Sequence, residues 1–101
     1  MKAKSTKTMS GGQAAVDALR NEKTEYVFGL IGSATMEMFD ALYDADDIKF
    51  IGIHDERTGT HMADGYARAS GKAGVVLAGQ NGPGATNLVT GLAQAKASYS
   101  P

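Results

Sequence analysis

The sequence predicts an α/β protein with a doubly wound parallel sheet and helices on both of its faces. Three short apolar runs at residues 26–31, 49–53 and 74–78 are each followed by a loop and then by a helical pattern. The runs are apolar throughout rather than alternating, as in strands that are buried on both faces. Strands that alternate with helices in this way pair in parallel.

Four helical patterns surround these strands. Ser10 precedes the first pattern and can cap it, and Gly71 follows the third as its C-terminal glycine. Apolar residues at helical spacing predict one face of each helix. These residues are Ala15, Ala18 and Leu19 in the first helix, Met36, Phe39 and Tyr43 in the second, Met62, Tyr66 and Ala69 in the third, and Leu88, Leu92, Ala95 and Tyr99 in the fourth.

Composition excludes several classes of function. Ten basic residues face eleven acidic ones, so the net charge of -1 gives no electrostatic reason to expect nucleic acid or an anionic membrane as partner. The absence of cysteine excludes disulfides, thiolate catalysis and cysteine-ligated metals, and it suits an intracellular protein. No apolar run reaches the roughly 20 residues of a membrane helix, and the N-terminus lacks the apolar core of a signal peptide. We therefore expect a cytoplasmic protein.

The 101 residues divide into a polar tail, residues 1–9, and one domain, residues 10–101. A parallel sheet of three strands buries little core for a chain of this size, and Pro101 is placed to open a further strand or the loop before it. We therefore expect the domain to be C-terminally incomplete, as the first part of a longer one. The alternative is a short chain whose missing surface comes from a partner.

Three loops follow the predicted strands, and in a parallel sheet they lie at one edge, where ligands bind. Their sequences are "GLIGSA", "HDERTG" and "GQNGPGATN", and Glu56 is the acid most firmly placed among them. Two interpretations of Glu56 remain open at this point, because a carboxylate in the first turn of a helix is also favoured by the helix dipole alone. The "GPG" loop matches no phosphate-binding motif, and Pro83 has no N–H to offer to a phosphate.

The two histidines, His54 and His61, are poor candidates for a metal site. Their spacing spans the junction of a strand and a helix, and no second carboxylate is placed to help. Solvated or hydrogen-bonded histidines are the simpler interpretation.

A longer pattern identifies a family. Glu56, "VFGLIGSA" and "HMADGYARASGKAGVVLAGQNGPGATNLVTGLAQA" together resemble the pyrimidine-binding domain of thiamine-diphosphate-dependent enzymes of the acetolactate synthase group. The resemblance runs from about Ser10 to Pro101. "IGSA" with "QNGPG" is most similar to sulfoacetaldehyde acetyltransferase, whereas "GPGATNLVTGLA" is equally similar to acetolactate synthase.

The resemblance implies a catalytic role for Glu56. In this family the corresponding acid hydrogen-bonds N1′ of the cofactor's aminopyrimidine and favours the tautomer that deprotonates C2 of the thiazolium. A carboxyl group in a dry pocket is expected to have a raised proton affinity and to share a proton with the ring nitrogen. Gly32, Pro83 and Asn87 would bind the cofactor with Glu56, and Ser33 and Gln80 are candidates on the substrate side.

The resemblance also implies what the chain lacks. The family binds the diphosphate and its Mg²⁺ through a separate domain, so no metal ligand is expected in this chain, which alone would be inactive. The active site forms between the pyrimidine domain of one subunit and the diphosphate domain of another, in a homodimer or homotetramer. Some members also carry FAD in a further domain.

Two positions depart from the family pattern. Asp55 stands where the family usually has histidine, and a second acid can alter the proton affinity of Glu56, although neighbours in extended backbone point to opposite faces. The segment between Lys72 and Gly82 is about one residue longer than usual, which predicts a bulge near Gly79.

These observations predict a thiamine-diphosphate-dependent carboligase or acyltransferase that acts on 2-oxo acids or aldehydes. A sulfoacetaldehyde acetyltransferase or a 2-oxo acid decarboxylase of the same family is an alternative with different chemistry. A binding or assembly module that keeps the fold without catalysis is an alternative from a different class.

Overall fold

A computed structural model of the protein describes residues 8–101. It contains five α-helices, one 3₁₀ turn and three strands within these residues. In chain order they are α1 (Gly11–Asn21), β1 (Tyr26–Gly29), the 3₁₀ turn (Ser33–Thr35), α2 (Met36–Tyr43), β2 (Lys49–Gly52), α3 (Glu56–Ser70), β3 (Val76–Leu77), α4 (Pro83–Thr86) and α5 (Val89–Ala97).

The three strands form one parallel sheet in the order β2-β1-β3. β1 is central, and its Phe28 is paired with Ile51 of β2 on one side and with Val76 of β3 on the other. β2 and β3 therefore lie on opposite sides of β1. The order of the strands reverses at β1, so the carboxyl ends of β1 and β3 flank a switch point of the topology. The predicted fold class is confirmed.

Both faces of the sheet are covered. On one face, Val27 packs against α1 and α2 in a cluster of buried residues. On the other face, the ring of Phe28 lies edge-on to Tyr66 of α3, with 6.3 Å between the ring centroids. Alternate side chains of β1 thus point into two separate layers of helix, as the pleat of a strand requires.

The predicted helix ends are confirmed where a specific residue fixes them. Ser10 caps α1 in a capping box, because its Oγ accepts from the Gln13 N–H while its own N–H donates to Oε1 of Gln13. Gly71 ends α3 at a φ of 72°, a left-handed conformation that glycine adopts without strain.

The predicted strands are too long at their ends. β1 stops at Gly29 and β3 consists of Val76 and Leu77 alone. Single hydrogen bonds extend the pairing, from the Phe28 N–H to Val75 and from the Leu30 N–H to Leu77.

Most of the predicted helix faces are wrong. In α1 the buried residues are Gly12 and Val16, and Ala18 is exposed. In α2, Met36 and Tyr43 are 56% and 89% exposed, and the buried residues are Phe39 and Leu42. In α3, Met62 faces outward. The buried stripe of α3 consists of Glu56, Gly59, Thr60, Ala63, Asp64 and Ala67.

The predicted fourth helix corresponds to α5, and the single turn of α4 precedes it as a separate helix that was not predicted. The predicted face of this fourth helix is also wrong. Leu92 and Tyr99 are exposed, whereas Gly91 is buried against α3. Small residues form these inner faces because the helices approach closely. A prediction based on the spacing of large apolar residues does not detect such faces.

Within residues 8–101, no helix is both long and apolar enough to cross a membrane.

Candidate functional site

Glu56 is the first residue of α3, immediately beyond the carboxyl end of β2. The preceding residue, Asp55, caps the helix with extended backbone, and its Oδ1 accepts from the Arg57 N–H at 2.8 Å. This cap directs the two acids differently: Asp55 pairs with Arg57 near the surface, while Glu56 turns inward and is only 5% exposed.

Two donors from the segment after β3 hold the Glu56 carboxylate. The backbone N–H of Gly79 donates to Oε2, and Nδ2 of Asn87 donates to Oε1, each at 3.3 Å. Asn87 immediately follows α4 as its C-terminal cap. The acid after β2 is therefore bound across the edge of the sheet to the loop after β3. The sequence predicted that these loops meet, and the structure adds the hydrogen bonds that join them.

These contacts decide the protonation of Glu56. Burial raises the pKa of Glu56, and the charge of Asp55 adds slightly to that effect. Hydrogen bonds to the carboxylate from its own backbone N–H, from Asn87 and from Gly79 act in the opposite direction and together outweigh burial, so its pKa lies below the ordinary value. The expectation of a raised proton affinity is therefore wrong, because the pocket supplies donors and not only apolar surroundings.

Gly32 belongs to the same cluster through its backbone. A Cβ atom at Gly32 would lie 1.8 Å from the carbonyl oxygen of Gly79, so only glycine permits this approach between the loops after β1 and β3. The Thr35 hydroxyl lies 3.4 Å from the carbonyl oxygen of Ala78 and 3.3 Å from that of Gly79, so it can donate to either. Sequence analysis missed Thr35, because a threonine beside a helix start carries no signal of such a contact.

In the "GPG" turn, Gly84 and not Pro83 lies against the Glu56 carboxylate. Pro83 opens α4 and is exposed, whereas Gly84 is buried, and a Cβ there would lie 3.1 Å from Oε2 of Glu56. Ser33 and Gln80 are exposed, and within residues 8–101 neither hydrogen-bonds to Glu56. The structure therefore brings together Glu56, Gly79, Gly84 and Asn87. Gly32 contacts Gly79 and not Glu56 itself.

No bulge is formed near Gly79. This residue lies beyond the end of β3, and its N–H is directed to Glu56 rather than to a neighbouring strand.

The two histidines do not join the cluster. Both are exposed, and the described residues 8–101 contain no group of three or more histidine, aspartate or glutamate side chains placed to hold a metal.

A buried carboxylate at the carboxyl edge of a parallel sheet, held by donors from the loop of a neighbouring strand, is typical of ligand-binding α/β domains. The family model "Thiamine pyrophosphate enzyme, N-terminal TPP binding domain" matches residues 9–101. The chain belongs to this family, which confirms the resemblance and with it thiamine diphosphate as the cofactor of the family.

The chain is similar to subunits of acetolactate synthases. The chain is 50% identical over 93 residues to the probable acetolactate synthase large subunit of Methanococcus aeolicus, which covers 92% of this chain and 15% of the relative. It is 46% identical over 86 residues to the acetolactate synthase large subunit of Haemophilus influenzae, covering 85% of this chain and 15% of the relative. The mitochondrial acetolactate synthase catalytic subunit of Saccharomyces cerevisiae is 43% identical over 93 residues, 92% of this chain and 13% of the relative. The chain thus spans about one seventh of the length of these relatives.

Proposed function

We propose that this chain supplies the cofactor-activating glutamate, Glu56, of a thiamine-diphosphate-dependent carboligase or acyltransferase that acts on 2-oxo acids or aldehydes. Membership of the thiamine pyrophosphate enzyme family and similarity to acetolactate synthase large subunits support the reaction class. The single observation that carries the role of Glu56 is its burial at the sheet edge with one donor on each carboxylate oxygen.

The residues present suit an aminopyrimidine. Each oxygen of Glu56 accepts one hydrogen bond from the segment after β3 and retains acceptor capacity for a ring N–H. Gly32 and Gly84 keep the surrounding backbone free of side chains. We therefore expect Gly32, Pro83 and Asn87 to bind the cofactor together with Glu56, and Ser33 and Gln80 to lie toward the substrate.

Bound thiamine diphosphate supplies a nucleophilic carbon and an electron sink for the carbonyl substrate. The contribution of this chain is to the first proton transfer. Glu56 presents an ionised carboxylate in a fixed orientation, which would accept a hydrogen bond from the ring nitrogen and so favour a proton that the nitrogen takes from solvent. Its lowered pKa favours the role of acceptor in that shared hydrogen bond.

Further parts of the proposal rest on the family resemblance. Mg²⁺ would accompany the diphosphate in another domain, FAD would be bound by some members, and the diphosphate domain would come from a partner subunit of a homo-oligomer. A cytoplasmic location and the inactivity of this chain by itself likewise remain predictions.

The test replaces Glu56 with glutamine in the complete enzyme. Glu56→Gln preserves shape but removes the exchangeable charge, so we expect exchange of the cofactor C2 proton and turnover to fall by roughly 10²-fold or more, the usual scale for a positioned acid–base group. Proton NMR after rapid quench measures the exchange.

Glu37→Gln is the matched control, because Glu37 is also a first-turn glutamate, in α2, and is exposed. If Glu56 merely favoured the helix dipole, both replacements would cost a few tenths to about 1 kcal/mol of stability and spare catalysis. A Glu56→Gln enzyme with normal exchange and turnover would contradict the proposal.

A further inference from the structure

We propose that Asn87 is a positioning residue for Glu56: its side-chain amide fixes the orientation of the carboxylate and keeps it ionised. This inference rests on the proposed function for the consequence in catalysis, but the contact itself concerns residues of this chain alone. It assigns Asn87 a role that acts through Glu56, in addition to lining the cofactor pocket.

The geometry gives each carboxylate oxygen its own donor. Nδ2 of Asn87 reaches Oε1, and the Gly79 N–H reaches Oε2. With Gly79 alone, the carboxylate would be free to rotate about its terminal bond, because such torsions are broad. Donors on both oxygens define the plane of the carboxylate and leave its remaining lone pairs in fixed directions.

The backbone of Asn87 is held in place by the turn of α4. Its backbone N–H donates to the carbonyl of Pro83 at 2.8 Å, which closes the single turn of α4. Gly84, in the middle of that turn, is buried against Oε2 of Glu56. The amide therefore approaches the acid from a turn that already packs on the acid.

The surrounding loops contain no cation that might replace this amide. Residues 29–35, after β1, and residues 78–95, after β3, include no charged side chain. The charged neighbours on α3 are Asp55 and Arg57, which are paired with each other at 2.7 Å. Neutral hydrogen bonds must therefore compensate the burial of Glu56, and Asn87 provides the only side-chain donor to its carboxylate within residues 8–101. A neutral donor stabilises the charge without the strong attraction of an ion pair, which would compete with the cofactor.

The experiment compares Asn87→Ala and Asn87→Asp with Asn81→Ala. Asn81 is an exposed asparagine in the same loop and serves as the matched control. The first readout is the titration of the Glu56 carboxyl carbon by ¹³C NMR in the full chain, assigned with Glu56→Gln. We expect the Glu56 titration to move to higher pH in Asn87→Ala, and further in Asn87→Asp because a second carboxylate opposes the first.

The second readout is exchange of the C2 proton in the holoenzyme. We expect a decrease of roughly 10- to 100-fold in Asn87→Ala, the scale of one hydrogen bond to a charged group, with the acidic limb of the pH profile shifted upward. Asn81→Ala should match the wild type in both readouts.

The two proposals fail in different ways. If the Glu56 titration is unchanged in both Asn87 variants, Asn87 is not a positioning residue, even if Glu56→Gln abolishes exchange. If the titration shifts as expected while Glu56→Gln leaves exchange normal, Asn87 positions Glu56 but the proposed catalytic function is wrong.

Discussion

At the scale of single residues, two neighbouring acids show how backbone direction gives adjacent side chains different surroundings. Asp55 ends an extended segment and pairs with Arg57, while Glu56 begins the helix and is buried. Both follow a predicted strand in the sequence, but only Glu56 was a candidate site residue. Their different surroundings follow from the helix cap, because the backbone is extended at Asp55 and helical from Glu56 onward.

The site was predictable where it depends on topology and not where it depends on backbone donors. Glu56 was placed at the edge of the sheet because loops after parallel strands converge, and Asn87 was implied by the family resemblance. The Gly79 N–H and the Thr35 hydroxyl were not predicted, since every residue carries an N–H and no pattern marks the one that will face a carboxylate. For the same reason the direction of the Glu56 pKa shift was predicted wrongly.

Asp55 makes stability depend on pH. Hydrogen bonds from the Arg57 side chain and from the Arg57 backbone N–H lower the pKa of Asp55 from 3.8 to about 2. A carboxyl whose pKa is lower in the folded state stabilises the fold above about pH 4, and this contribution is lost as the pH falls toward about 2. We expect Asp55→Asn, which keeps a capping side chain, to remove this pH dependence.

Urea unfolding midpoints measured across that pH range test the expectation. The wild type should lose stability more steeply than Asp55→Asn, while Asp40→Asn, at an exposed position on α2, should follow the wild type. Parallel curves for the wild type and Asp55→Asn would show that the Asp55–Arg57 pair does not persist in solution.

At the scale of elements, close approach determines which helix faces are buried. α3 presents glycine, threonine and alanine to its neighbours, while the larger Met62 faces outward. The alternation of strand and helix was predictable from apolar runs, but the inner faces of α3 and α5 were not. Small residues pack closely at these faces, so the sequence shows no large apolar residue at the buried positions.

Gly91 makes the contact between α5 and α3. A Cβ at this position would lie 1.9 Å from Oγ1 of Thr60, so Gly91→Ala must push the two helices apart or displace Thr60. We expect a loss of about 1–3 kcal/mol in the free energy of unfolding, the usual cost of overpacking. Urea unfolding followed by circular dichroism measures it.

Gly65→Ala is the control, because Gly65 lies within α3 and a Cβ there meets no atom within 4 Å. Alanine should stabilise that exposed helical position by roughly 0.5–1 kcal/mol. Equal effects of the two replacements would mean that helix propensity, and not the contact with Thr60, determines the response at Gly91.

At the scale of the whole molecule, the fold leaves apolar surface and strand edges uncovered within residues 8–101. β2 and β3 each pair on one side only. The large apolar side chains at the surface are Met9, Ile31, Met36, Tyr43, Met62, Val89, Leu92 and Tyr99. Unpaired edges and exposed apolar surface of this extent are typical of chains that bind further protein.

We therefore expect this chain to associate with itself at micromolar concentration. Sedimentation velocity should show a weight-average coefficient that rises with concentration, and Leu92→Glu, which places a charge beside Val89 on α5, should reduce that rise. A compact monomer that unfolds cooperatively over the same range would contradict the expectation.

The central position of β1 also predicts the order in which the strands pair during folding. Pairing of β1 with β2 closes a shorter loop than pairing with β3, and β3 contributes only Val76 and Leu77 to the ladder. Both outside donors to Glu56 lie in the segment that follows β3. We therefore expect Glu56 to exchange its hydration for protein donors only when that last segment docks, which would make the candidate site a late product of folding and the first part to be lost when β3 separates.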